Sequence, residues 1–559
     1  MQIKKQFNLF KIIFILIFLP NLINGQVPTW QWAKTTGGSN DQYTRKTVTD
    51  NNGNLYALGH FKYPEIFFNN ITLTTTYSRA LFVSKYNSNG DVVWAKKIES
   101  VGGLTQRTLS IDKDNNLIVG GTVNIYNSNS DVSFDSGKLI LNFTTNFSRN
   151  KLFFIAKFDT DGNILWAKNN QGNSEPISIE VDDANTIYCL GSFESSTVIF
   201  DGISLNNLGQ PDIFITKYNE NGNVAWAKSF GGSGHESPKQ IIKNSDGSFT
   251  VIGCFGSPTI TFENTTLTNN SGAFNLFIIK IDSEGNLISA INGGLVPNDY
   301  SDFLKLDKND NFYLYGYFET PTIMIGGTEL TKIGDTDIYI AKYNTNGILS
   351  WAKNFGNIGC NSNLTDITTD SNRNIYLAAD FTSPTFTLGN STYINNGYYT
   401  SLILKLNENG NIVWGKSALG NNDISKGNYP TSIVVNYNND LFVTGVYNSQ
   451  TVSFDNNFIS NTDTHTKIYM ASLIQSNLPN QEFNKSLIKL HPNPVKNILN
   501  FESDQNSVGN NYYINDVTGR VITSGIIRNK IDKIDVSNLK NGLYFFNTNI
   551  GSTIKFIKE

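Results

Sequence analysis

An all-β chain assembled from one repeated unit is predicted by three observations. The tripeptide Trp-Ala-Lys recurs at Trp32, Trp94, Trp166, Trp226 and Trp351, with Trp-Gly-Lys at Trp414. With Ser289-Ala290-Ile291 filling the one gap, successive copies lie 62, 72, 60, 63, 62 and 63 residues apart. Between copies, apolar residues alternate with period two and are punctuated by Asn-Gly and Asp-Gly turns, with no helical period in any unit. Six of the seven Trp occupy this one position, so the repeat governs how every other residue is read.

The unit resolves strand by strand. After the Trp comes a Gly-rich loop (Gly37-Gly38, Gly102-Gly103, Gly231-Gly232, Gly293-Gly294) and a short apolar run ending in an Asx/Gly turn such as Asp50–Asn54. A strand closing on Gly-x-aromatic follows, as in Leu55–Phe61 and Phe312–Phe318. A longer variable polar loop then leads to an alternating strand such as Ile213–Tyr218, and the turn Asn219–Asn223 opens the strand that carries the next Trp. Four antiparallel strands per unit make a propeller blade.

Counting blades fixes the closure. Complete four-strand sets end at Trp94, Trp166, Trp226, Ser289, Trp351 and Trp414. A seventh set, Ser432–Val435, Asp440–Tyr447 and Lys467–Leu473, lacks its outermost strand, whereas Trp30–Lys34 is an outermost strand without companions. The expectation is a seven-bladed β-propeller closed by the N-terminal strand, which leaves no sheet edge open to aggregation. The pattern Trp226-Ala227-Lys228…Gly231-Gly232-Ser233-Gly234, then Tyr313-x-x-Gly316-Tyr317-Phe318 and Ile338–Tyr343, resembles the bacterial seven-bladed beta-propeller repeat (SBBP) family over roughly residues 30–475. Ser289, Ala379 and Val123 depart from it as repeat drift. The resemblance implies a fold and an extracytoplasmic setting, and no shared reaction.

The two ends give an address. Lys4, Lys5 and Lys11 precede the apolar run Ile12–Leu19, with Pro20 and Gly25 after it, which reads as a secretory signal peptide over residues 1–25. The run is too short to span a bilayer, so no transmembrane segment is expected in the mature chain. Losing those lysines takes the formal charge from −4 to −7, and a charge-poor acidic protein lacks the basic footprint that nucleic acid requires. The propeller is expected over residues 26–475, a polar linker over 476–487, and a small C-terminal β-sandwich over 488–559. That last stretch carries Pro492-Asn493-Pro494, Asp516-x-x-Gly519-Arg520 and Leu539-x-x-Gly542-x-Tyr544. It resembles the type A C-terminal sorting domain of the Bacteroidetes type IX secretion system. The resemblance implies passage across the outer membrane by that machinery as partner, then removal of the domain with release or surface attachment.

Candidate chemistry is sparse. Three Cys cannot build a disulfide framework, and Cys189 and Cys254 read as buried thiols, with Cys360 in a loop. Asp159-Thr160-Asp161-Gly162-Asn163 and Asp112–Asn116 resemble the start of a calcium loop. The twelfth-position Glu and flanking helix are missing, so hairpin-turn chemistry is the better account and calcium the alternative. Asp41, Glu175, Glu236, Asp299 and Asp423 follow the Gly-rich loops and would form an acidic ring at the channel mouth if those loops share a face; solvated turn acids are the competing reading. His235-Glu236 is the one His–acid neighbour among them. Lys85, Lys157, Lys217, Lys280, Lys342 and Lys405 read as solvated lysines of the third strand, and the repeated Trp as packing between blades. With four His and no catalytic triad, metal cluster or phosphate loop in evidence, the expected function is non-catalytic. The chain is read as an exported adhesion, scaffold or binding propeller for polysaccharide or a surface protein, presented by its variable loops. The alternative is an extracellular glycoside hydrolase or polysaccharide lyase, which a deep channel holding acids and a His would favour.

Overall fold

The computed structural model describes residues 27–474 and 489–559, apart from 126–128, 135–138, 145–149, 271–273, 296–300, 308, 358–361, 390, 422, 424, 503–507, 509–510, 518–519 and 549–552. The signal-peptide and linker segments, Asp299 and Cys360 lie outside the described residues. The chain divides into two units at Gln475/Ser476. Among the described residues there is no helix long and apolar enough to cross a membrane.

The first unit is all β, with seven antiparallel blades, six of them four-stranded sheets and the first extended to six strands by a hairpin paired with its outer strand. Their innermost strands are β2 (Gln42–Thr49), β8 (Gly103–Ile111), β14 (Ser174–Val181), β20 (Glu236–Lys243), β26 (Ser301–Leu306), β32 (Ser362–Thr369) and β38 (Asn428–Val435). Each contacts the next, and β38 contacts β2, so the ring is closed. The closing blade takes its outer strand from the other end of the chain: β1 (Thr29–Thr35) pairs with β42 (Lys467–Ile474), from Thr29 opposite Ile474 to Thr35 opposite Tyr469. Second and third strands of every blade are buried on both faces; Leu55–Phe61 and Leu81–Val83, for example, supply side chains to the cores on either side.

The variable segments expected as polar loops each contain a two-stranded hairpin. Examples are β4 (Glu65–Phe68) with β5 (Ile71–Thr74), β10 (Asn129–Phe134) with β11 (Leu139–Thr144), and β34 (Thr385–Leu388) with β35 (Ser391–Ile394). A four-residue apolar alternation is too short to stand out, yet it suffices: Ile66 and Phe68, Val198 and Phe200, and Ile260 and Phe262 are fully or almost fully buried. The turns carry the signal, with φ of 45° at Asp201 and 88° at Gly202, and 53° and 85° at Gly326 and Gly327. Paired positive φ is the geometry of a two-residue hairpin turn.

The Trp repeat is a clasp between neighbours. Five of the six repeated indoles lie on the glycine of the next blade's outer turn: Trp32 on Gly90, Trp94 on Gly162, Trp166 on Gly222, Trp226 on Gly285 and Trp351 on Gly410. Several also donate Nε1–H to a carbonyl of that turn, Trp94 to Thr160 at 3.0 Å and Trp166 to Glu220 at 2.9 Å. In the degenerate copy the clasp is kept by a different residue, because Ile291, two positions after Ser289, reaches Gly347. Gly is required in these turns twice over, by φ near +75° and by the ring above it.

Most of the third-strand lysines are not solvated; Lys280, which keeps 28% of its side-chain surface and pairs with exposed Asp246, is the exception. Lys85, Lys217, Lys342 and Lys405 lie over Tyr56, Tyr188, Tyr313 and Tyr376 at 5.1, 5.7, 5.4 and 5.2 Å from the ring centroids. Lys157 meets Asp112 at 2.9 Å and Lys342 meets Asp307 at 3.5 Å, both aspartates being fully buried. A charge this deep is tolerated because it is paired and faces a π cloud. The same turns account for the calcium-like motif: Asp159 Oδ1 accepts the N–H groups of Asp161 and Asn163 at 2.9 and 2.8 Å, and Oδ2 accepts Asn163 Nδ2 at 2.9 Å. Both carboxylate oxygens are engaged within the turn.

The second unit is a small two-sheet sandwich. One sheet orders β43 (Lys489–His491), β44 (Ile498–Glu502) and β47 (Ile531–Asp535). The other orders β46 (Val521–Ile526), β45 (Asn511–Asp516), β48 (Gly542–Thr548) and β49 (Thr553–Lys558). Leu499, Phe501, Ile514, Phe546 and Phe556 fill its core.

Candidate functional site

The innermost strands share one irregularity. In all seven the hydrogen-bond ladder to the second strand skips one residue at the same place, after Thr44, Gln106, Pro176, Pro238, Ser301, Leu364 and Pro430. The skipped residues are Arg45, Arg107, Ile177, Lys239, Asp302, Thr365 and Thr431. A bulge leaves its extra residue unpaired and bends the strand. Six of the seven line the central channel, a cavity of about 1240 Å³ that follows the inner strands from Tyr43 to Thr49. Pockets of roughly 300–1,000 Å³ hold drug-sized ligands, so this one has room for more.

One end of the channel is aromatic. Tyr43 stacks on His60 with centroids 5.0 Å apart and planes 25° apart. Tyr399 meets Tyr429 edge-on at 6.2 Å and Tyr398 at 4.5 Å, and Tyr317 joins the wall from the fifth blade. Planar polar groups sit among the rings. Gln106 Nε2 lies 2.8 Å from His60 Nδ1, and Asn363 Nδ2 donates to Asp380 Oδ1 at 3.2 Å. Burial, with the Arg79 charge adding to it, brings His60 down to about 4, so its ring is neutral at pH 7. Burial pushes Asp380 up to about 7 against the Asn363 hydrogen bond.

Deeper in, Asp366 ties four blades together. Its Oδ1 accepts Tyr315 Oη at 3.3 Å, and its Oδ2 accepts Ser432 Oγ at 2.8 Å and Ile433 N at 3.1 Å. Ser432 Oγ accepts in turn from Thr47 Oγ1 at 2.9 Å, and Lys46 Nζ stands 4.0 Å from Asp366. The line therefore crosses both seams of the closing blade. Beyond it, burial raises Glu180 to about 7 and, aided by Lys46, lowers Lys305.

The acids singled out in the sequence are placed elsewhere. Asp41, Glu175, Glu236 and Asp423 are not on the channel wall, and each has a local partner. Asp41 Oδ2 pairs with Lys62 at 2.7 Å and its Oδ1 accepts Thr466 N at 3.0 Å. Glu175 is held by Arg107. Glu236 is buried against Ser257 and Gly232, and burial raises it to about 7. Asp423 accepts Ser425 N at 2.9 Å in its own turn. His235 points out onto Phe274 at 5.5 Å, away from its neighbour Glu236. Among the described residues there is no group of three or more His, Cys, Asp or Glu that could hold a metal ion. Tyr43, His60 and Asp380 were not singled out. The available signal was the middle residue of Gly-x-aromatic, which varies from His60 to Ser192, Cys254, Tyr317 and Asp380 while its neighbours repeat.

Residues 489–559 match the secretion system C-terminal sorting domain family. The chain carries a sorting domain for export to the cell surface. A WD repeat-containing protein of Acanthamoeba polyphaga mimivirus is 24% identical over 76% of this chain, which spans 36% of that protein. Among solved structures, an alpha-L-arabinanase of Penicillium chrysogenum is 13% identical with a TM-score of 0.34, over 63% of this chain and 94% of that one. A PL25 ulvan lyase is 9% identical with a TM-score of 0.36, over 74% and 93%.

Proposed function

We infer that this is a type IX-exported, surface-displayed propeller that captures a saccharide at the mouth of its channel without cleaving it. The observation that carries the reading is the arc of Tyr317, Tyr399, Tyr429 and Tyr43 on four consecutive blades, interleaved with Asn363 and Gln106. Aromatic faces flanked by planar polar groups suit sugar rings, which present apolar C–H faces and hydroxyl edges. A glycan-array and polysaccharide pull-down with the exported chain, followed by sugar analysis of the retained polymer, tests it. Retention of intact polymer, lost on Tyr399→Ala, supports capture; no retained glycan refutes it.

A specific observation favours cleavage as the second reading. A neutral His60 stacked on Tyr43 and a carboxyl at Asp380 held toward protonation supply base and acid candidates in one cavity. Shortened or unsaturated sugars in the same assay would select it.

A further inference from the structure

We propose that the saccharide held in this channel is acidic, its carboxylate or sulfate groups resting on Arg45, Arg107 and Lys239 while the tyrosine arc carries its rings. This rests on the capture reading above. Three observations lead to it.

The first is where the charge lies. The chain as a whole carries a formal −4. The described channel wall does not share that excess of acid: Arg45, Lys46, Arg107, Lys239 and Lys305 stand against Glu180, Asp366 and Asp380, with Glu175 pairing Arg107 from outside the wall. Burial raises Glu180 and Asp380 to about 7 and also lowers Lys305, so deep charge of both signs is weakened. A local excess of cations between low-dielectric walls focuses its field on an entering anion.

The second is which positions hold the cations. Residues that build the ring recur from blade to blade: the clasp Trp and Gly, the third-strand Lys and the turn Asp or Asn. The bulge recurs as backbone, but its side chains do not: Arg, Arg, Ile, Lys, Asp, Thr and Thr. Identical geometry with divergent chemistry marks the positions that the architecture leaves free. Three of those seven are basic, on blades 1, 2 and 4.

The third is presentation. Arg45 is exposed although it lies on an innermost strand, and the Lys46 side chain keeps 38% of its surface. Arg107 is braced by Glu175 from outside the channel wall, which orients its guanidinium. A guanidinium carries five N–H groups, so one held from behind by Glu175 keeps donors with which to meet a carboxylate or sulfate edge. The cations flank the aromatic arc, since Tyr43 and Arg45 lie on one strand and Gln106 and Arg107 on the next.

The test pairs charged and neutral forms of one backbone: polygalacturonate and its fully methyl-esterified form, and a sulfated galactan and its desulfated form. Each is measured against the wild-type chain, Arg45→Gln/Lys239→Gln and Tyr399→Ala, with thermal melting as the folding control. The expected result is retention of an acidic polymer, its neutral counterpart at least about tenfold weaker, and a similar loss in the Arg45/Lys239 variant and in high salt. Equal retention of charged and neutral forms overturns the acidic inference and leaves capture standing. So does charged binding that survives Arg45→Gln/Lys239→Gln but fails with Tyr399→Ala. Retention of neither form removes the capture reading and the inference together.

Discussion

Replacing Gly222 by Ala should cost far more than replacing Gly247 by Ala, although both glycines sit in tight turns with nearly equal φ, 77° and 82°. The left-handed backbone alone penalises an L side chain by roughly 1 kcal/mol at either site. At Gly247 nothing lies within 4 Å of the new methyl, whereas at Gly222 it would stand 2.8 Å from the Trp166 ring. Displacing an indole in a packed seam adds an overpacking cost of about 1–3 kcal/mol. Totals of about 1 and about 3 kcal/mol follow for the two variants. With an unfolding entropy of roughly 2.1 cal/mol/K per residue over some 450 residues, the difference is only about 2–3 °C in melting temperature. Denaturant unfolding of the full chain, followed by Trp fluorescence, is therefore the better assay. The clasp also makes a coupling prediction. In a Trp166→Ala background the Gly222→Ala cost should fall to the Gly247→Ala level, a coupling of about 1–3 kcal/mol. Equal losses for the two glycine variants, or additive losses in the double variant, would refute the clasp.

Asp380→Asn should raise stability at pH 8 and leave it unchanged near pH 4. A carboxyl whose folded pKa is raised binds its proton more tightly when folded, so its ionisation erodes stability as pH climbs from about 4 to about 7. The rise from 3.8 to about 7 sets a ceiling of about 4 kcal/mol on the effect; melting curves at the two pH values check the sign. Asp366→Ala should destabilise by about 2–4 kcal/mol, because it strands Ser432 Oγ and Ile433 N at the closing blade, and urea unfolding reads this. Deleting residues 489–559 should hold the chain inside the outer membrane with its propeller folded, as cell fractionation and protease resistance would show; surface display of the truncated chain would contradict the sorting role.

The ring was legible because its joints repeat. Trp32 tags β1 as an outer strand, and that tag alone assigned it to a blade whose other strands lie at the far end of the chain. Trp30 carries no such tag; it meets Phe454 edge-on at 5.0 Å within the closing blade. The hairpins were missed because each offers only two inward side chains, such as Ile66 and Phe68. The channel lining was missed for a sharper reason. Period-two reading sends Arg45 and Lys46 to opposite faces of β2, but the bulge breaks that alternation and brings both to the channel. A one-residue slip is invisible in a sequence whose alternation resumes two residues later. The acids after the Gly-rich loops share a rough position but not a register: Glu236 aligns with Gln42 opposite the strand-end aromatic, whereas Glu175 aligns with Tyr43.

Strand β1 also sets an order of events. Thr29 is among the first described residues to be made, yet its partner Ile474 follows 445 positions later. Bringing such distant ends together from an unstructured chain costs on the order of 5 kcal/mol of loop entropy. Folding the intervening blades first shortens the effective path, so ring closure comes last. Until then β42 offers an unpaired edge and β1 is an unanchored strand. A chain emerging N-terminus first through a membrane therefore gains its final shape only after almost the entire propeller has crossed, and slow emergence lengthens the interval in which two chains can exchange first strands.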